Sequence, residues 1–203
     1  MSREHGFQRR NTKPEQFRAV EEGGKRYIEG YFAVFGSKYE MFPGASESVA
    51  PEAFDRTLDR DIRALIDHES RLVMGRTKAG TLELRVDSHG LWGRIEINEN
   101  DTDALNLYAR VQRRDVSHCS FGFEIIREDV EIDEATGHVH WTLREVRLWE
   151  VSVVTFPAYE ETGVEARKQE FGDIQSRRVA AWKARMKGRL KNGTEAGIAG
   201  QAH

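Results

Sequence analysis

Residues 117–127 read SHCSFGFEIIR, a run in which apolar residues alternate with small or polar ones. The apolar positions are Cys119, Phe121, Phe123 and Ile125, and the intervening ones are His118, Ser120, Gly122 and Glu124. Successive side chains of a strand point to opposite faces, so the run predicts a strand with one apolar and one polar face. Ser120 then lies on the polar face beside Gly122, where another backbone or a substrate can approach closely.

Similar patterns predict further short strands on both sides of this one. They are residues 26–35, 62–66, 81–86, 91–97, 138–146 and 148–156. Two short helices are expected over residues 51–58, where Pro51 suits a first helical position, and 101–113, where Asp101 suits an N-cap. No βαβ rhythm is visible. The pattern predicts an α+β, mainly β domain whose barrel-like sheet is flanked by short helices.

Composition divides the chain into three parts. Residues 1–25 are polar and predict a mostly flexible N-terminal arm, with a short strand at 17–20. Residues 26–163 form the folded domain. Residues 164–203 hold nine basic and four acidic residues. The first 163 residues hold the other 22 of the 31 basic residues and the other 30 of the 34 acidic residues. An acidic body is therefore joined to a basic tail.

The tail predicts a basic amphipathic helix followed by a flexible end. The residues expected to share its apolar face are Val179, Trp182, Met186 and Leu190. Such a helix is either simply solvated or a docking segment for an acidic protein surface.

The composition also excludes several classes of protein. A net charge of −3 over 203 residues argues against a dedicated nucleic-acid binder, which is strongly basic. No apolar run reaches the roughly 18–20 residues of a membrane span, and the first residues lack the apolar segment of a secretory signal. With Cys119 as its one cysteine, the chain has no internal disulfide and no multi-cysteine zinc site. We expect a soluble, intracellular protein.

Ser120 is the candidate nucleophile. A serine nucleophile needs a base, a third group that orients the base, and backbone donors for the oxyanion. His68, at the end of a predicted apolar strand, is a candidate base. Glu150 lies within the apolar run LWEVSVV and needs a partner, because an unpaired buried charge is very costly. That partner is an imidazolium or an arginine such as Arg144 or Arg147.

Each candidate also has a simpler structural interpretation. Ser120 can hydrogen-bond within the sheet, and His68 can be an ordinary surface histidine. Cys119 is the rival nucleophile, but on the apolar face a thiol behaves as a small hydrophobe. His138 and His140 lie two residues apart on a predicted strand, so they share a face and are compatible with a metal site or with a solvated strand. The residue pattern by itself indicates only that the chain is a candidate serine hydrolase.

Five segments in order carry a family resemblance. They are GYFAVFGSKYE (30–40), SVAPEAFDRTL (48–58), IRALIDHESRLVMGRT (62–77), HCSFGFEI (118–125) and LWEVSVVTFPAYEET (148–162). Over roughly residues 28–166 the chain resembles the prohead (capsid maturation) protease family of tailed double-stranded-DNA phages. It departs mildly at residues 51–54, PEAF, where the family more often has Pro-Gly-Ala-Phe.

The resemblance implies a serine endopeptidase with the fold of the herpesvirus assemblins, a β-barrel flanked by helices. Carried over by position, Ser120 is the nucleophile, His68 the general base and Glu150 the third member, with His118 and Asp115 as alternatives for the third. No cofactor or metal is implied. Backbone N–H groups near the nucleophile are expected to form the oxyanion hole.

The implied substrate is the scaffolding segment of the major capsid protein, cut inside the assembling prohead in the host cytoplasm. Self-cleavage is also implied, and removal of the basic tail by self-cleavage is one interpretation of that tail. Portal and other prohead proteins are further expected partners, self-association is left open, and no membrane or specific nucleic acid is expected. Two alternative functions remain: a non-catalytic capsid-assembly or scaffolding module, and a metal-dependent hydrolase using His138, His140 and nearby acids.

Overall fold

The computed structural model describes residues 7–12, 17–156 and 161–199. In chain order its strands are β1 (Gln8–Thr12), β2 (Arg18–Glu22), β3 (Lys25–Val34), β4 (Tyr39–Phe42), β5 (Ala45–Val49), β6 (Arg63–Ile66), β7 (Glu69–Arg76), β8 (Leu82–Val86), β9 (Gly90–Glu96), β10 (His118–Ile132) and β11 (Val139–Val154). The α-helices are α1 (Thr102–Arg113) and α2 (Glu161–Ala199), and short 3-10 helices lie at Pro51–Phe54 and Thr77–Ala79. Within these ranges neither α-helix has an apolar stretch that could cross a lipid bilayer.

The strands form two sheets. The seven-stranded sheet runs β1-β10-β11-β5-β4, with β6 paired to another stretch of β11 and β7 paired to β6. The four-stranded sheet runs β2-β3-β9-β8 and is antiparallel throughout. The predicted α+β, mainly β class is confirmed. Over the described ranges, however, the strands form two separate sheets rather than a closed barrel.

The apolar core joins residues of both sheets and of α1. The strand predicted over residues 117–127 is confirmed as the first part of β10, and its apolar positions Cys119, Phe121 and Phe123 are buried. The Phe121 ring meets Phe54 edge-on at 5.7 Å between centroids and stacks on Phe123 at 4.9 Å. The opposite face is buried here as well, because Ser120 and Gly122 are also covered.

Strand β11 unites two segments that the sequence predicted as separate strands. Arg147 lies between them, but it pairs with Glu124 in the ladder, and their side chains form an ion pair at 3.0 Å. The strand can therefore continue through a charged residue. It is antiparallel to β10 and parallel to both β5 and β6.

Other local predictions differ from the structure. The helix expected over residues 51–58 is only a 3-10 helix at Pro51–Phe54. Strands β1, β4, β5 and β7 carry no clean alternation of apolar and polar residues and were not predicted. The sequence predicted a mostly flexible arm over residues 1–25. Within its described part, β1 and β2 are strands paired with β10 and β3.

The chain separates into two compact units, residues 1–163 and 164–203. Helix α2 runs through the tail and covers the segment expected to be amphipathic. Three side chains of its expected apolar face, Val179, Trp182 and Met186, are exposed. The fourth, Leu190, lies outside the described side chains.

A change at the start of α1 tests the helix cap. The Asp101 carboxylate accepts hydrogen bonds from the N–H groups of Asp103 and Ala104 at 2.9 and 3.2 Å. Asp101→Ala leaves both donors without this partner, so the free energy of unfolding should fall by about 1 kcal/mol in urea denaturation. Asp101→Asn keeps an oxygen acceptor and should retain most of that stability. An alanine variant as stable as the wild type would contradict the capping role.

Candidate active site

The Glu150 carboxylate is buried within the seven-stranded sheet. It lies on β11 directly opposite Gly122 of β10, and its side chain is 7% exposed. A carboxylate in such a place requires hydrogen-bond donors, because an unpaired buried charge is very costly. The residues that supply these donors define the site.

His68 reaches this carboxylate from the turn between β6 and β7. Asp67 and His68 have φ values of 47° and 62°, the left-handed conformation that both central residues of a type I′ hairpin turn require. The Asp67 carboxylate accepts from the Thr155 N–H at 2.6 Å and from the Thr155 hydroxyl at 3.0 Å. These bonds tie the turn to the end of β11 and thereby position the imidazole.

The hydrogen bond between His68 and Glu150 sets the roles of the two ring nitrogens. His68 Nδ1 lies 2.7 Å from Glu150 Oε1, and the histidine side chain is 6% exposed. An ionised carboxylate can only accept, so Nδ1 carries the proton and Nε2 of the neutral ring is the acceptor. This is the tautomer that a general base needs towards a serine. Nε2 is buried and has no hydrogen-bond partner among the described residues, which is uncommon for a buried polar atom.

Two further side chains approach the carboxylate. The Ser152 hydroxyl donates to Glu150 Oε2 at 2.6 Å, and Arg9 Nε lies 3.8 Å from Oε1. Gly122 provides the space, because a Cβ there would collide with Oε1 and with the Phe7 ring. The carboxylate is therefore held from β11 itself, from the β6–β7 turn and from β1.

Ser120 lies one strand away from this pair. It is opposite Ser152 in the β10–β11 ladder, so only the spacing of neighbouring strands, about 4.8 Å, separates their backbones. Its side chain is fully buried, and its Oγ donates to the Arg10 carbonyl at 2.9 Å. The structure thus joins His68 to Glu150 directly and brings Ser120 alongside, but the serine hydroxyl is bonded to β1 and not to the imidazole.

The other candidates are engaged elsewhere. Cys119 is buried on the core face, as predicted. Asp115 forms an ion pair with Arg113 at 3.2 Å. Arg144 and Arg147, considered as partners of Glu150, pair with other carboxylates on β10.

His138, just before β11, and His140, on it, both contact Ser46. Ser46 Oγ is 2.7 Å from His138 Nε2 and 2.8 Å from His140 Nδ1, and Ser48 Oγ is 2.9 Å from His140 Nε2. Burial lowers the pKa of His140, which favours a neutral ring. In the part of the chain that the structure describes, no three His, Cys, Asp or Glu side chains are grouped closely enough to hold a metal ion.

Sequence reasoning missed three residues of the site. Ser152 follows Glu150 by two positions on a strand, so the two side chains share a face. The sequence could therefore have indicated this contact. Asp67 is adjacent to His68, but nothing in the sequence indicates that its carboxylate anchors the turn. Arg9 belongs to a segment that looks flexible, and only the pairing of β1 with β10 brings it to the site.

Comparisons with known proteins show the family of the chain. The model of the caudovirus prohead serine protease family matches residues 13–177. The prohead protease of enterobacteria phage HK97 is 28% identical over 165 residues, which are 79% of this chain and 68% of that protein. The solved structure of the bacteriophage T4 capsid assembly protease aligns with a TM-score of 0.47 at 12% identity, over 74% of this chain and 98% of the other.

A serine hydrolase needs a histidine that a carboxylate orients, and the hydrogen bond between His68 and Glu150 has this form. The chain belongs to the caudovirus prohead serine protease family. It is a serine peptidase with a role in phage capsid maturation.

Adding one methyl group at Gly122 should disturb the site. A Cβ at this position would displace the Glu150 carboxylate or the Phe7 ring, so Gly122→Ala should lower the free energy of unfolding by about 1–3 kcal/mol. Gly172→Ala is the matched control, since it lies in α2 with open space around it and should be neutral or stabilising by up to about 1 kcal/mol. The free energy of unfolding of both variants is measured by chemical denaturation. If the two substitutions change it equally, Gly122 is not crowded.

Proposed function

We propose that Ser120, His68 and Glu150 form a catalytic triad that cleaves the scaffolding segment of the phage major capsid protein inside the assembling prohead. The observation that carries this proposal is the buried His68–Glu150 hydrogen bond. It fixes the proton on Nδ1 and leaves a buried acceptor nitrogen, Nε2, near the strand that bears Ser120.

The reaction follows the general logic of serine proteases. His68 Nε2 takes the Ser120 proton as Oγ attacks the scissile carbonyl, and Glu150 stabilises the imidazolium that forms. The imidazolium then protonates the leaving amine, and water hydrolyses the acyl-enzyme. Backbone N–H groups near Ser120 are the proposed oxyanion donors. The Ser120 hydroxyl must leave the Arg10 carbonyl before this sequence can start.

Ser152 acts as a positioning residue in this proposal. Its hydroxyl occupies Oε2 of Glu150 and so presents Oε1 to the imidazole. A carboxylate held at both oxygens has one orientation, and the histidine is oriented in turn.

The expected partners follow from the same function. The major capsid protein with its scaffolding segment is the substrate, and the chain itself is a second one. The basic tail, with seven Lys or Arg and no acidic residue between residues 176 and 193, suits docking on an acidic scaffold or capsid surface. The proposed location is the prohead within the host cytoplasm, where portal and other prohead proteins are further neighbours.

Replacement of the nucleophile tests the triad. Ser120→Ala should fold normally but lower cleavage of capsid protein by at least about a thousandfold, measured on gels with purified proteins. Ser117→Ala is the matched control on the same segment and should cleave as the wild type does. A purified Ser120→Ala protein that still cuts capsid protein would refute the assignment.

Self-cleavage is tested by measuring the intact mass of the active and the Ser120→Ala protein after prolonged incubation. If both proteins keep the same full-length mass, the proposed self-cleavage is wrong.

Loss of the Ser152 hydroxyl should affect turnover rather than substrate binding. Ser152→Ala frees Glu150 Oε2, so we expect kcat to fall about tenfold or more with KM nearly unchanged. Ser152→Thr keeps a hydroxyl and should recover most of the activity. A Ser152→Ala protein with wild-type kcat would show that the carboxylate does not need this bond.

A further inference from the structure

The outer edge of β10, beside Ser120, is occupied by β1. The register pairs Asn11 with Ser120 and Arg9 with Gly122. Extended peptides commonly bind by adding a strand to a sheet edge, because the backbone hydrogen bonds form with any sequence. We infer that this edge is the binding strand for the substrate peptide and that residues 7–12 occupy it as an intramolecular competitor. The inference rests on the proposed catalytic role of Ser120.

The first support is the state of the nucleophile. Ser120 Oγ donates its hydrogen to the Arg10 carbonyl at 2.9 Å. A hydroxyl that donates there cannot donate to His68 Nε2, which is buried and lacks a partner within the described ranges. Strand β1 therefore keeps apart the two groups that must exchange a proton.

The second support is the cover that β1 places over the rest of the site. The Phe7 ring lies where a side chain of residue 122 would be, directly over Gly122. Arg9 Nε lies 3.8 Å from Glu150 Oε1, the oxygen that also binds His68. A guanidinium at this oxygen repels the imidazolium that must form during catalysis. A substrate cannot reach Ser120 along this edge while these residues remain.

The third support is the way in which β1 is held. It has five residues, and its Arg10 side chain is bonded to Gln8 and to both carboxylate oxygens of Glu47 on β5. Arg10 and Glu47 are both buried. Breaking a buried ion pair is costly, because the remaining charge loses its partner, so this pair holds β1 in place. A peptide that makes the same backbone hydrogen bonds competes with this anchor, and weakening the anchor should favour the peptide.

This arrangement makes activity depend on the fraction of molecules in which β1 has left β10. A peptide that binds only the open edge has its apparent affinity reduced by that fraction. Holding β1 in place should lower activity, and loosening it should raise activity.

A reversible cross-link tests the first half of this expectation. Position 12 is the register partner of Cys119, the chain's one cysteine, and partners in an antiparallel ladder have Cα atoms about 4.5–5.5 Å apart, within disulfide range. Oxidised Thr12→Cys protein should cleave a capsid protein carrying its scaffolding segment at least about tenfold more slowly than the same sample reduced with dithiothreitol. Thr12→Cys/Cys119→Ala cannot form the bond and should not respond to oxidation.

A second variant tests the opposite direction. Glu47→Gln weakens the anchor of Arg10 and should raise kcat/KM at least about threefold. Glu29→Gln is the matched control, because Glu29 is a buried carboxylate paired with Arg18 and Arg94 in the other sheet, and it should leave kcat/KM unchanged. A synthetic peptide of residues 7–12 should inhibit the Glu47→Gln protein competitively.

The outcomes separate the inference from the proposed function. Equal cleavage rates of the cross-linked and reduced protein, or an unchanged kcat/KM for Glu47→Gln, would overturn the competitor role while cleavage still depends on Ser120. If Ser120→Ala cleaves as fast as the wild type, the proposed catalytic role fails and this inference fails with it.

Discussion

The site depends on one buried carboxylate, that of Glu150. Its burial is tolerated because His68 and Ser152 hydrogen-bond to it and the Arg9 guanidinium of β1 forms an ion pair with it at 3.8 Å. Removing a donor leaves a buried charge less well compensated, so the groups proposed for catalysis also support the packing of the sheet. The same few side chains are therefore needed for the stability of the sheet and for the proposed chemistry.

Strand β11 brings the residues of the proposed site together through its two strand pairings. It pairs with β10 on one side, where Ser120 lies opposite Ser152, and in parallel with β6 on the other, where Leu65 lies opposite Ser152. Because β6 is parallel to β11, it ends at Ile66 beside the end of β11, and the turn that follows places His68 near Glu150. Residues far apart in sequence therefore meet over a width of three strands.

Ser120, the proposed nucleophile, is held in a hydrogen bond that would not serve catalysis. The Ser120 hydroxyl is directed to a backbone carbonyl of β1, and the acceptor nitrogen of His68 has no partner within the described ranges. A peptidase of capsid assembly acts among the proteins that it helps to mature, so a site closed by the chain's own strand suits that setting. Opening requires the displacement of a short strand that a buried ion pair anchors.

The sequence by itself determined the mainly β class, the α1 helix with its cap and the core face of β10, and it led to the proposal of Ser120, His68 and Glu150. These follow from local patterns, from the cost of a buried charge at Glu150, and from motifs in a recognisable order. It did not reveal β1, which resembles a polar flexible arm because its buried Arg10 is satisfied by Glu47, a residue 37 positions away. Only the tertiary structure decided which donors meet Glu150 and where the Ser120 hydroxyl points, since both depend on strand pairings that no local pattern encodes.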